Sequence, residues 1–155
     1  MDLVGLTSQG NIKMIDINKY ADLFHDGSII NIDHIDNKMT ISMESAEVDE
    51  EDIKDDITIA KDDRIRGKLH IEKIKSITIN NKSYLEIVKK IYDEGGIVNF
   101  EITRNSVLLS IDWVNFTPSQ KTNEFSVIKI EAEKIYWENI PDLSDDLFKK
   151  VKGKP

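Results

Sequence analysis

Apolar and polar positions alternate along this chain in short runs separated by clusters of Gly, Asp, Asn and Ser, and the runs come twice in the same order. In residues 15–24 the apolar positions Ile15, Ile17, Tyr20, Leu23 and Phe24 predict a short helix, which His25-Asp26-Gly27-Ser28 ends, glycine supplying the left-handed exit residue. Alternation follows. Ile30, Ile32 and His34 share one face of a predicted strand, Asp36-Asn37 makes a tight turn, and Met39, Ile41 and Met43 line the next strand. Ile65, Leu69, Ile71, Ile77 and Ile79 carry a third strand over 64–80, and the break at Lys73-Ile74-Lys75 predicts a bulge or bend. Residues 1–14, interrupted by Gly5 and Ser8-Gln9-Gly10, read as a lead-in.

The second series begins at Ser83, a suitable N-cap for a helix over 84–94 with Tyr84, Ile87, Val88 and Ile91 as its apolar stripe and Gly95-Gly96 at its exit. Val98, Phe100 and Ile102 predict a strand, Arg104-Asn105 a turn, and Val107, Leu109, Ile111 and Trp113 the next strand. Residues 124–138 supply the last strand. Moving residues 15–46 forward by 68 places Gly27 on Gly95, Asn31 on Asn99, Asn37 on Asn105 and Ser42 on Ser110, with the apolar positions coinciding. The third strand aligns at a shift of 58 instead, setting Leu69 on Val127 and Ile77 on Ile135. The second copy therefore lacks about ten residues, and the stretch 44–63 reads as an insertion into the first. Leu147-Phe148-Lys149-Lys150 echoes Ile87-Val88-Lys89-Lys90 and predicts a closing helix over 145–151.

The expected fold is α+β: a tandem repeat of a helix-strand-strand-strand unit, mainly antiparallel, pseudo-two-fold and closed by a C-terminal helix. It is a single domain over 1–155, with repeat one about 15–82 and repeat two about 83–152. One sheet, two packed sheets and a part-closed barrel all remain open arrangements for these strands.

Charge changes the picture. The net charge is −8, which argues against a nucleic-acid surface, because phosphate binding needs clustered Lys and Arg. Residues 44–63 hold ten acids and two lysines, so this stretch alone accounts for the imbalance. Asp49, Glu50, Glu51, Asp52, Asp55 and Asp56 form its densest part, and they read either as a patch that steers a basic protein partner or as a solvated loop. No apolar run approaches the ~20 residues of a membrane span. The absence of cysteine excludes disulfides and a thiol nucleophile, and the chain opens without a secretory pattern, so a cytoplasmic setting is expected.

Candidate chemistry is sparse. His25-Asp26 suits a helix-ending turn better than a catalytic pair, His34 suits a near-core position, and His70 an ordinary strand position. The three histidines lack metal-binding spacing, the acidic run lacks the central glycine of a calcium loop, and no phosphate loop or nucleophile elbow is present. No cofactor, metal or catalytic residue is expected. Among the aromatics, Tyr136 and Trp137 are strand neighbours and point to opposite faces, so Trp113, Tyr136 and Trp137 are candidate anchors for a protein partner.

The stretch Phe24-His25-Asp26-Gly27-Ser28-Ile29, followed by two alternating strands, resembles the opening of many small bacterial domains with a Phe/Leu-His-Asp-Gly/Ala-Ser turn, some of them immunity proteins of toxin systems. That resemblance implies a stand-alone binding protein without catalytic residues. The leading expectation is a non-enzymatic acidic module that neutralises a basic protein. Two alternatives stand beside it: a small-molecule binder or enzyme with a pocket at the seam between the repeats, reached by His25, Asp26 or His34, and a structural oligomer subunit.

Overall fold

In the computed structural model, which describes residues 16–54, 56–115 and 123–143, the alternating runs form antiparallel strands. They are β1 (Ser28–Ile35), β2 (Lys38–Glu47), β3 (Arg64–Ile79), β4 (Lys82–Ser83), β5 (Glu94–Ile102), β6 (Ser106–Val114) and β7 (Asn123–Asn139). Their order in the sheet is β2-β1-β5-β6-β7-β3-β4, and β2 pairs with β3 as well. That additional pairing closes six strands into a barrel. The two residues of β4 hook back onto the end of β3 across Asn80-Asn81, both at positive φ (53° and 69°), the geometry of a tight hairpin turn.

The α+β expectation is overturned: the described residues are mostly antiparallel strand. The helical elements given among the described residues are a 3-10 helix, η1 (Ile17–Phe24), and a single turn, η2 (Glu50–Asp52). η1 forms where predicted, with the Asp16 side chain accepting from the Asn18 N–H at its start and Ile17, Tyr20, Ala21 and Phe24 buried along one face. The helix expected over 84–94 is absent, and residues 84–93 run irregularly into β5. Two forces oppose it. Ile87, Val88 and Ile91 are β-branched and lose side-chain freedom in a helix. The Val88 N–H, which a helix would give to a carbonyl four residues back, donates instead to Nδ1 of His34 at 2.9 Å. The closing helix expected over 145–151 lies outside the described residues.

The strands of the two halves are related through their pairing. At one seam Ser28 of β1 faces Gly96 of β5, its own counterpart 68 positions on. At the other, Ile74 of β3 faces Ala132 of β7, its counterpart 58 positions on. A pseudo-two-fold axis therefore crosses the barrel through these two pairs. Further details obey it. The Ile74 N–H donates to the Asn37 carbonyl and the Ala132 N–H to the Asn105 carbonyl, both at 2.9 Å. Register shifts between Ile29 and Asn31 in β1 and between Ile97 and Asn99 in β5 are also equivalent. These bulges correct the strand faces read from the sequence. Ile29 and Ile97 take the interior positions, and Val98, expected inside, is exposed. The break expected at Lys73-Ile74-Lys75 is present as a register shift between Ile74 and Ser76, with Lys73 at φ 56°.

The core fills the barrel and the space under η1. Phe24, fully buried, meets Phe100 and Trp137 edge-on at centroid distances of 5.2 and 5.6 Å, so η1 is tied to β5 and β7 of the second half. At the exit of η1 it is Asp26, not Gly27, that takes the positive φ (72°). Gly27 is required for another reason: any side chain there would strike the backbone of Glu44 and Ser45.

Gly95 and Gly96 separate packing from mere flexibility. A methyl group at Gly95 would meet the Trp113 ring at 2.5 Å, whereas at Gly96 the nearest atom is 3.7 Å away. Gly95→Ala is expected to lower stability by about 2 kcal/mol through overpacking, and Gly96→Ala to stay within about 0.5 kcal/mol of the parent, both read by urea unfolding. Equal effects at the two positions would refute this packing assignment.

Candidate protein-binding surface

The acidic insertion is an ordered loop between β2 and β3. Val48, Ile57 and Ala60 are buried, the Val48 N–H donates to the Asp63 carbonyl at 2.8 Å, and Asn139 Nδ2 donates to the Thr58 carbonyl at 2.7 Å. Several of its acids serve the fold. Glu44 is 8% exposed and accepts from Arg66 Nε at 2.6 Å, while Arg66 Nη2 donates to Asp62 at 2.5 Å. These two carboxylates raise the Arg66 guanidinium pKa above its ordinary value against the opposing cost of burial. Asp56 accepts from the Tyr20 hydroxyl at 2.6 Å and pairs with Lys19 at 2.8 Å, and these partners hold its carboxyl below the ordinary value. The Lys54 N–H donates to the same Tyr20 oxygen, so the loop is clasped onto η1.

Four acids remain. Asp49, Glu50, Glu51 and Asp52 are exposed, and no salt bridge engages them among the described residues. Asp55 lies outside the described residues. Of the six acids singled out in the sequence, the structure thus leaves four contiguous carboxylates exposed, Asp49 at the N-cap of η2 and the other three on it, and assigns Asp56 to loop docking.

The aromatic anchors are placed differently from expectation. Trp113 is 5% exposed, donates its indole N–H to Ser126 Oγ at 3.2 Å and stacks on Tyr92. Trp137 is 2% exposed and donates to Asn139 Oδ1 at 3.1 Å. Both occupy inward strand positions, where burial of a large ring is worth most, so neither indole is available to a partner. Tyr136 points outward, as alternation requires, but is half-buried in a polar cluster. Its ring stacks on His70 at 4.7 Å and its hydroxyl donates to Glu72 at 3.1 Å. Desolvation and the neighbouring Glu72 push its pKa up to about 12, so the phenol stays protonated through the neutral range.

The histidines are structural. Nδ1 of His34 accepts from Val88, so in the neutral ring Nε2 carries the proton and donates to the Asp36 carbonyl at 3.0 Å. Nδ1 of His25 donates to the Val98 carbonyl at 2.6 Å. His70 bonds Glu138 at 2.8 Å and approaches Thr40 Oγ1 at 3.4 Å. The Tyr136 ring stacks over this His70 imidazole. No group of three or more His, Asp or Glu suited to a metal ion occurs among the described residues. No described helix is long and apolar enough to cross a membrane.

Two clefts flank the barrel, and the pseudo-axis relates them. One, of about 270 Å³, is lined by Ile17 and Asn18 of η1 and by Ile102 and Arg104. The other, of about 440 Å³, is lined by Leu85, Glu86, His34 and Asp36, the counterparts of those four residues. The likeness ends at exposure. Ile17 is 3% exposed, whereas Leu85 is 94% exposed and Ile91, further along the same segment, 74%. The sequence pattern had assigned Ile87 and Ile91 to a buried stripe. What it lacked was the bond from Val88 to His34, which fixes the segment with those side chains outward. Comparison with protein-family models, curated proteins and solved structures found no match.

Two outcomes test the loop's anchoring. Arg66→Met leaves Glu44 buried without a cation and is expected to cost about 3 kcal/mol, with much of the loss recovered in a Glu44→Leu/Arg66→Met double variant. Asp56→Asn addresses pH. Because the folded-state pKa of Asp56 is depressed, its contribution is present above the ordinary carboxylate range and lost as pH falls through the folded value. The melting-temperature gap between parent and Asp56→Asn should therefore close on acidification. A gap independent of pH would place the effect elsewhere.

Proposed function

We propose that the chain is a non-enzymatic binding module for a basic protein, with an immunity-type neutraliser of a basic toxin as its concrete form. The observation that carries the reading is the row Asp49-Glu50-Glu51-Asp52, four exposed carboxylates with no salt-bridge partner among the described residues, on a loop that Glu44, Asp56 and Asp62 anchor through Arg66, Tyr20 and Lys19. Exposed unpaired carboxylates concentrate field on one side of the molecule and steer a cationic surface toward it. A loop already fixed by Arg66 and Tyr20 loses little freedom on binding, which favours affinity over a flexible tail of equal charge. A cytoplasmic setting accords with a chain free of cysteine.

The mechanism is occlusion: the loop draws the partner in, and the adjoining barrel wall covers the surface that it binds. Steering through the loop predicts that Asp49→Asn/Glu50→Gln/Glu51→Gln/Asp52→Asn lowers the association rate about tenfold at low ionic strength and flattens its salt dependence. Partner capture at low and moderate salt identifies the basic protein, and surface plasmon resonance then compares on-rates. An unchanged on-rate in the quadruple variant would reduce the loop to a structural insertion.

A further inference from the structure

We propose that the cleft of about 270 Å³ between the start of η1 and the turn joining β5 to β6 binds a free α-amino acid with an apolar side chain. The charged residues that line it are one acid, Asp16, and one base, Arg104. Both are exposed, and among the described residues no salt bridge joins them to each other or to any other group. Opposite charges that line one cleft without meeting suit a ligand that carries both. A lone carboxylate is repelled by Asp16 and a lone amine by Arg104, whereas a zwitterion pairs with each. The Arg104 guanidinium offers a planar fork to a carboxylate. Asp16 Oδ1 accepts the Asn18 N–H at 3.2 Å, and no hydrogen bond engages Oδ2 among the described residues, which leaves that oxygen for an ammonium group.

The rest of the cleft is already built. Ile17, Ile102 and Ile135 line it and belong to or pack against the core, so an apolar side chain has a fixed surface to rest on. Arg104 stands on an ordered turn. Thr103 Oγ1 accepts from the Asn105 and Ser106 N–H groups at 3.3 and 3.0 Å, and Asn105 Nδ2 donates to the Ala132 carbonyl at 3.3 Å. Little backbone is left to order on binding, which favours affinity for a small ligand. The volume lies below the ~300 Å³ at which drug-sized pockets begin, so the occupant is the size of one residue and not of a peptide. The cleft related by the pseudo-axis shows what sets the choice. At the place of Arg104 it has Asp36, at that of Asn18 Glu86, and at that of Asp16 Tyr84. Asp36 and Glu86 line it with Lys89 as its one base, so a ligand carboxylate meets no guanidinium there. The same starting plan has thus diverged into two clefts of unlike charge, and the site at Arg104 does not depend on the basic-partner reading.

Titration of the isotope-labelled full chain with leucine, methionine and phenylalanine, read from amide chemical shifts, tests this. The expected result is a saturable shift at Asn18, Ile102 and Arg104 with at least one of these amino acids, and none at Asp36 and Glu86. For the amino acid that binds, the N-acetyl form lacks the ammonium and the amide form lacks the carboxylate, and each should bind at least about tenfold more weakly. Arg104→Gln should weaken the free amino acid about tenfold and leave its amide form unchanged. Asp16→Asn, which keeps a good N-cap for η1, should weaken the free amino acid and leave its N-acetyl form unchanged. The loop variant with Asp49–Asp52 neutralised should bind the amino acid as the parent does, so failure of one reading is distinguishable from failure of the other. No saturable shift at tens of millimolar ligand would overturn the proposal, and a cleft filled by the chain's own residues would give that result. Equal affinity for the charge-deleted forms, or for Arg104→Gln and the parent, would overturn it as well.

Discussion

The structure depends on closing a barrel across a seam where β1 and β5 share only two residue pairs, Ser28 with Gly96 and Ile29 with Gly95. A ladder so short contributes few hydrogen bonds, and beside it the Asp26 N–H donates to the Ile97 carbonyl and the Ile97 N–H to the Gly27 carbonyl, both at 2.8 Å. Gly95 admits the Trp113 ring and Gly27 admits the backbone of β2, so beside the seam each half packs more closely within itself than side chains at those positions would allow. Beyond the two pairs the strands diverge, β5 running along η1 and β1 along the 84–93 segment. These two flanking segments complete the wall that β1 and β5 leave open. The opposite seam, β3 with β7, is long and continuous, with eleven paired positions from Gly67–Asn139 to Ile79–Ile128. One seam therefore supplies most of the pairing and the other sets the curvature.

The two flanking segments begin from equivalent places and end in different states, and the insertion accounts for the difference. In the first half, Tyr20 gives the loop a hydroxyl to grip, and Lys19 gives Asp56 a cation. Their counterparts 68 positions on are Val88 and Ile87, which offer neither. The second segment has no such loop against it, is not helical, and turns Leu85, Ile87 and Ile91 to water while Val88 and Tyr92 stay buried. An internal duplication has thus produced one buried flank and one exposed flank from the same starting plan.

Much of this architecture was legible in the amino-acid pattern, and the failures have identifiable physical causes. Strand positions followed from alternation, and the shifts of 68 and 58 proved to be the offsets at which residues pair across the two seams. The single-residue bulges at Ile30 and Val98 were not visible, since an extra residue in an apolar run leaves no mark in composition. The helix over 84–94 was misread because its stripe at helical spacing is equally compatible with an irregular segment that buries only Val88 and Tyr92. Trp113 and Trp137 were expected at a surface, and only the facing glycine and Phe24, distant in sequence, reveal that both rings have core sites. The acidic loop was recognisable as an insertion, but its division into anchoring and free carboxylates depended on Arg66 and Tyr20, which lie outside it.

That division bears on what the acids are for. A loop made acidic only for solubility has no need of a buried cation, because solvated carboxylates repel one another and keep such a loop extended. Here Arg66 is withdrawn from solvent to hold Glu44 and Asp62, an arrangement whose desolvation cost offsets much of its Coulombic gain. The pair contributes position more than stability. It fixes where the β2 and β3 ends of the loop leave the barrel, and with the Tyr20 clasp it fixes where η2 stands. The free carboxylates are held in one place by the bound ones. Surface charge that is placed so firmly needs no ordering on contact, and the proposed recognition role draws on that placement.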